Sequence, residues 1–143
     1  MTTSPDDLVK AEWADVVDAI EQCYERGWTD GLPVVPPTAQ RVQMFLDYVG
    51  RSASEVVGGV PERRREVTVG KLAANAVMAG CKPEYFPVVL AVADAIFDPL
   101  FNLIGPSSSL GGAGILVIVN GPVVKELGIN CGNNLFGPGN RAN

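Results

Sequence analysis

The side chains best suited to chemistry begin with the pair Cys81-Lys82. The pair follows a run of small residues that ends at Gly80, and Pro83 comes directly after it. A lysine neighbour lowers the pKa of a thiol, whereas the negative C-terminal end of a helix raises it. Two interpretations of Cys81 therefore stay open: a catalytic thiol with Lys82 beside it, or a buried free cysteine that packs as a small hydrophobic residue.

The turn Asn120-Gly121-Pro122 is the second candidate, because it follows an aliphatic run at 115–119 and opens a short helix. Ligands of open α/β sheets bind at such places, where the first amides of a helix point at an anion. The pattern predicts that Asn120 and Gly121 bind a small anion. A tight turn that needs glycine for backbone reasons explains the same residues equally well.

The Gly/Asn-rich, irregular tail at residues 128–143 is the third candidate. Arg141 is suited to clamping a carboxylate, and asparagine and glycine also suit a plain loop because both tolerate left-handed backbone. Only the short helix predicted at 122–127 separates the tail from the turn at 120–122, so we predict that the two close one pocket. The ligand-binding residues predicted in the tail are Asn130, Cys131, Asn133, Asn134 and Arg141.

A Gly/Ser/Pro loop at 105–114 also offers hydroxyls and backbone amides to an anion. It lacks the Gly-Lys-Ser/Thr of a phosphate loop, and it precedes the aliphatic run, whereas a phosphate loop follows a strand. A flexible connection is the favoured interpretation of this loop.

The composition narrows the chemistry, because the chain contains no histidine. Ser-His-Asp and Cys-His sites are excluded from this chain, as are the usual zinc and non-haem iron ligand sets. The cysteines Cys23, Cys81 and Cys131 are odd in number and widely spaced, which indicates neither a disulfide framework nor a metal pair. We therefore predict no metal site and leave the cofactor unassigned; any catalysis uses other side chains or groups of a partner.

The length of the chain predicts a single domain over residues 1–143, and its three widely spaced cysteines predict a reducing, cytoplasmic location. The net charge is −5, with 16 acidic against 11 basic residues, so a basic face for nucleic acid is not expected. No apolar run approaches the roughly 20 residues that cross a bilayer. The first seven residues lack the basic and apolar regions of a signal peptide.

Periodicity and capping residues predict an α/β fold, with several helices packed on a small sheet. The run 115–119 is the clearest strand; it is aliphatic on both faces, as a strongly buried strand would be. A capping-box pattern at 52–55 predicts a helical turn that ends at Gly58-Gly59. The predicted helices span 5–26 at the N-terminus, 39–49 after Thr38, 69–79 after Thr68, 83–97 and 122–127. A short strand is predicted at Glu66-Val67, and the alanines of the helix 69–79 predict that it is central, because small residues permit close packing.

Four blocks of the sequence, at 28–38, 75–89, 117–122 and 136–143, together resemble a poorly characterised bacterial family. It is the family associated with UGSC-motif (seleno)proteins, small thiol or selenol proteins named for a Sec/Cys-Gly-Ser-Cys motif. The resemblance covers most of residues 28–143 and implies the N-terminal part of such a protein and a thiol-dependent role. The Sec/Cys-Gly-Ser-Cys motif itself is absent, and residues 104–109 are less polar than the family pattern.

Two functional hypotheses follow. In the first, the chain is a subunit of a hetero-oligomeric bacterial enzyme that acts on a small anionic metabolite, with Cys81 or Lys82 as the reactive group. In the second, it is a non-catalytic scaffold or interaction subunit whose partner carries the active site. We also predict a second polypeptide, homologous or cut from the same precursor, because an aliphatic strand needs neighbours. The alternative is a short chain whose tail folds back on its own core.

Overall fold

The computed structural model describes residues 16–143, and they form helices packed on a small sheet, as predicted. Within these residues no helix is long and apolar enough to cross a membrane. The first residues of the predicted helix 5–26 lie outside the described part; its described portion ends at Glu25, and Gly27 is left-handed with φ 69°. The helices are α1 (Val16–Glu25), α2 (Ala39–Val49), α3 (Val69–Met78), α4 (Phe86–Phe97), α5 (Ile104–Ser108) and α6 (Val123–Leu127).

The helices α2 and α3 begin where their capping residues predicted. The hydroxyl oxygens of Thr38 and Thr68 each accept a hydrogen bond of 3.3 Å, from the amides of Arg41 and Lys71. Such a bond satisfies one of the amides that the first turn of a helix leaves without a partner. Gly50 ends α2 in the left-handed conformation, with φ 64°.

The core lies where α2, α3 and α4 meet. Small residues on α3 let its neighbours approach closely, and the helix is central, as its alanines predicted. The rings of Phe45 on α2 and Phe86 on α4 pack edge to face, with centroids 5.5 Å apart and planes at 70°. The buried core cluster consists of Val42, Phe45, Leu46, Val69, Ala73, Ala74, Ala76, Val77, Phe86 and Leu90.

The sheet is an antiparallel hairpin of β1 (Val56–Val60) and β2 (Arg65–Thr68). A 3-10 turn at Pro61–Arg63 joins the strands, and Arg64 closes it in the left-handed conformation. The predicted helical turn ending at Gly58-Gly59 is wrong, because both glycines pair with β2. Gly58 also faces Phe97 so closely that an added Cβ would lie 2.6 Å from the Phe97 Cβ atom. This tertiary contact, and not helix termination, requires the glycine.

The prediction of a strongly buried strand at 115–119 is wrong. This segment joins no ladder in the described part of the chain, and Ile115, Leu116, Val117 and Ile118 are exposed. A continuous aliphatic run becomes a buried strand only where neighbouring strands and helices cover it. Here the hairpin lies elsewhere in the fold, and the segment lies beside α4 and Phe101.

Candidate functional site

Two of the predicted site residues, Cys81 and Arg141, meet at the C-terminal end of α3. Gly80 is left-handed there, with φ 79°, and the amides of Gly80 and Cys81 donate to the carbonyls of Val77 and Ala76. These are the two bonds of a Schellman cap. Nε of Arg141 donates to the carbonyl oxygen of Gly80 at 2.7 Å, although the two residues are 61 positions apart. The guanidinium thus lies at the negative end of a helix, where a cation stabilises it.

The environment of Cys81 does not favour a thiolate. Burial raises the pKa of the Cys81 thiol, and the nearby charge of Arg141 offsets this only in part. The thiolate is the nucleophilic form, so this thiol is less reactive at neutral pH than an ordinary cysteine. Lys82 points into solvent. The packing role foreseen for Cys81 is supported, because its side chain packs against the core cluster.

We expect Cys81 to be alkylated slowly, with a half-maximal rate at a pH above that of a free cysteine. Arg141→Gln should move this pH further upward, because it removes the charge that lowers the pKa. The measurement is the rate of iodoacetamide labelling of the Cys81 peptide between pH 7 and 10, followed by mass spectrometry. The exposed Cys131 serves as the internal reference.

Lys125→Gln is the matched control, since it removes one exposed cation that does not act on Cys81. If the half-maximal labelling of Cys81 moves to lower pH in Arg141→Gln, or moves equally in both variants, the charge of Arg141 does not lower the pKa of this thiol.

The asparagines of the tail hold the tail itself together. The Nδ2 amide of Asn143 donates to the carbonyl of Asn130 at 2.9 Å, while its Oδ1 accepts from the Asn130 amide at 2.8 Å. Oδ1 of Asn130 accepts from Gly132, and Nδ2 of Asn134 donates to the carbonyl of Pro138. The predicted ligand-binding amides of Asn130 and Asn134 are thus used within the loop.

Asn140 and Asn143 organise the tail, although neither was predicted as a site residue. Oδ1 of Asn140 accepts from the amides of Ala142 and Asn143, and its Nδ2 donates to the carbonyl of Gly128. An asparagine that bonds the backbone two residues ahead is a local turn signal, so the bond from the Ala142 amide could have been predicted, whereas the bond to the Gly128 carbonyl depends on the fold. Cys131 and Asn133 remain exposed, and the carbonyl of Asn133 accepts from Asn130.

The turn at 120–122 lies at one end of an apolar groove. Gly121 has φ 89°, which explains the glycine on backbone grounds, and α6 that follows is a single short helix. Asn120 lines the groove, whereas no residue of 130–141 does, so the tail does not close this pocket with the turn.

The groove itself lies between α4 and residues 115–120, with a volume of about 560 Å³. The α4 side of the wall could have been predicted from the sequence. The only charged residue of that helix is Asp94, and a helix that is apolar on all sides must be buried on several of them. Asn120 is the only side chain in the wall with a hydrogen-bonding group. The wall consists of Pro87, Val88, Ala91, Val92, Ala95, Ile96, Phe101, Ile115, Leu116, Val117, Ile118, Val119 and Asn120.

The prediction that 105–114 is a flexible connection is wrong for its first half, which is helical. This half belongs to α5, where Oγ of Ser107 donates to the carbonyl of Ile104. Oγ of Ser109 accepts from the amide of Gly111, so these two hydroxyls serve local turns. Among residues 16–143 no cluster of three or more cysteine or carboxylate side chains is placed to hold a metal ion.

Fold and site thus define a small α/β protein with an open apolar groove. Comparison with protein-family models, curated proteins and solved structures finds no match for the chain. The resemblance to the UGSC-motif family therefore stays a prediction.

Proposed function

We propose that this chain is the interaction subunit of a bacterial multi-chain enzyme and that a partner polypeptide carries the active site. One observation carries the proposal: the aliphatic residues 115–119 are exposed beside an open apolar groove. Contiguous apolar surface of this kind marks binding sites on soluble proteins. We place the complex in the cytoplasm, since the free thiols of Cys23, Cys81 and Cys131 suit a reducing compartment.

Burial of the exposed aliphatic residues 115–119 by a partner polypeptide would be energetically favourable. Full burial of an aliphatic side chain gains about 1.5–3 kcal/mol, so several such side chains in one run supply the apolar core of a stable interface. Leu116 and Ile118 are the most exposed residues of the run, and they form the face that a partner would cover.

A second candidate, an enzyme subunit that uses Cys81 on an anionic metabolite, is favoured by one observation. The guanidinium of Arg141 lies beside the Cys81 thiol and could hold a carboxylate there. The raised pKa of Cys81 weighs against this role. Cys81→Ser in the complex with its partner separates the two candidates: an interaction subunit keeps its turnover, whereas a catalytic thiol loses it.

We expect Leu116→Thr/Ile118→Thr to weaken binding of the partner about tenfold or more, because it removes apolar area equivalent to at least about 1.4 kcal/mol. The partner is the protein that co-purifies with the chain from its native host, isolated and recombined with each variant. The dissociation constant is measured by titration calorimetry.

Leu32→Thr/Met44→Gln provides the control, because both residues are exposed and neither lines the groove. Equal affinity of the groove variant and the wild-type chain would reject residues 115–119 as the binding surface. Native chain isolated without any other polypeptide would reject the interaction role as a whole.

A further inference from the structure

The main chain of residues 112–120, whose second half borders the groove, is open within the part of the chain that the structure describes. Residues 112–120 belong to no helix, turn or ladder, and none of their N–H or C=O groups bonds within residues 16–143. Exposed backbone groups of this kind bond to water in an isolated chain. A row of open amides and carbonyls is also the template on which another strand pairs.

The side chains of this segment already follow the period of a β-strand. Leu116 and Ile118 are 67% and 77% exposed, whereas Ile115 and Val117 are 51% and 47% exposed. Val119 is half-buried. Alternate side chains of a strand point to opposite faces, so residues 115, 117 and 119 are turned more toward α4. Leu116 and Ile118 also border the groove, but they are turned more toward solvent. One face is therefore partly covered, and the backbone edges of the segment are open.

The segment lacks the features that usually protect an edge strand. Residues 99–124 contain no Asp, Glu, Lys or Arg, although the whole chain carries a net charge of −5. Charged side chains, proline and bulges normally keep exposed edges apart, and none interrupts 115–119. A second copy can approach this edge without like-charge repulsion between the two segments.

We infer that residues 115–119 pair in antiparallel register with the same residues of a second copy of this chain, about a two-fold axis at Val117. In this register Ile115 lies opposite Val119, Leu116 opposite Ile118, and Val117 opposite itself. Each pair is aliphatic, and such cross-strand pairs stabilise a sheet. A two-fold axis makes one surface patch serve both copies.

The inference goes beyond the proposed function while resting on the same surface. Pairing uses the backbone edge, whereas the proposed partner covers the outward side chains. The two-fold axis is perpendicular to the plane of the two-stranded sheet, so the α4 helices of both copies lie on the same face of that sheet. Leu116 and Ile118 of the two copies then form one apolar platform on the other side, which recruits the partner to a dimer.

Disulfide cross-linking tests the register. Val117→Cys in a Cys131→Ser background, oxidised with glutathione disulfide, is expected to give at least about fivefold more covalent dimer than Leu116→Cys or Ile118→Cys alone. Directly opposed residues have Cβ atoms about 4.5–5.5 Å apart, whereas diagonal neighbours lie too far apart for a disulfide. A mixture of Leu116→Cys and Ile118→Cys should cross-link, since these residues oppose each other.

Light scattering of the Cys131→Ser chain should show a dimer, and Val117→Lys should be a folded monomer by light scattering and circular dichroism. Equal cross-linking at all three positions, a maximum at a position other than 117, or a monomer at every concentration would each overturn the register. A variant that combines Val117→Cys with Leu116→Thr/Ile118→Thr should still form the covalent dimer but should no longer bind the partner. The pairing and the proposed function can therefore fail separately.

Discussion

Phe86→Ala is expected to lower the free energy of unfolding by about 3–5 kcal/mol, the range for removing a large aromatic side chain from a core. Phe86 is completely buried, and its ring meets Phe45 edge to face at 5.5 Å. The substitution leaves a cavity where α2 and α4 meet and also removes this ring contact. Small domains are stable by about 5–15 kcal/mol, so the loss is a large part of the total.

Urea denaturation followed by circular dichroism gives the free energy of unfolding for this comparison. Phe136→Ala removes the same side chain from a position that is 88% exposed, and a change within about 0.5 kcal/mol is expected there. Similar losses for both variants would show that the core does not centre on Phe86.

Gly58→Ala is expected to cost about 1–3 kcal/mol, as overpacking in a well-packed site does. The added methyl group would lie 2.6–2.7 Å from Cβ, Cγ and Cδ2 of Phe97. Since Cβ is fixed to the backbone of α4, the helix or β1 has to shift. That shift matters for function, because α4 packs on β1 at one side and lines the groove on another.

The same denaturation experiment on Gly58→Ala, Phe97→Ala and the double variant measures the coupling. The double variant should be more stable than the sum of the two single losses predicts, because Phe97→Ala makes room for the methyl group. Gly114→Ala serves as the control, since no atom lies within 4 Å of its added Cβ. Strict additivity would show that Gly58 and Phe97 do not press on each other.

Several elements followed from the sequence because their causes are local. The helix starts at Thr38 and Thr68 and the helix end at Gly50 depend on residues within one turn of each position. The stripe of alanines on α3 likewise predicted a central helix, because small side chains alone permit close approach of its neighbours. The hairpin was half predicted: β2 has strand-forming residues, whereas the glycines of β1 were mistaken for a helix end.

The candidate site depended more on distant contacts. Cys81 and Arg141 were each singled out by residue type, yet only the folded chain places the guanidinium at the end of α3, and no local pattern encodes that approach. In the folded chain the tail asparagines form hydrogen bonds within their own loop. Composition alone does not distinguish such bonds from hydrogen bonds to a ligand. The outward face of α4 became part of a groove only because residues 115–120 lie across from it.

By itself, the sequence determined the described helices other than α5, the caps at Thr38, Gly50 and Thr68, the absence of histidine chemistry from this chain and the aliphatic character of residues 115–119. The tertiary structure alone decided that this aliphatic run is exposed and without strand partners. The physical reason is that capping and periodicity act over a few residues, whereas burial depends on what the rest of the fold brings alongside. The hydrophobicity of a segment shows that its burial would be favourable. Whether the chain buries the segment itself depends on which elements the fold places beside it.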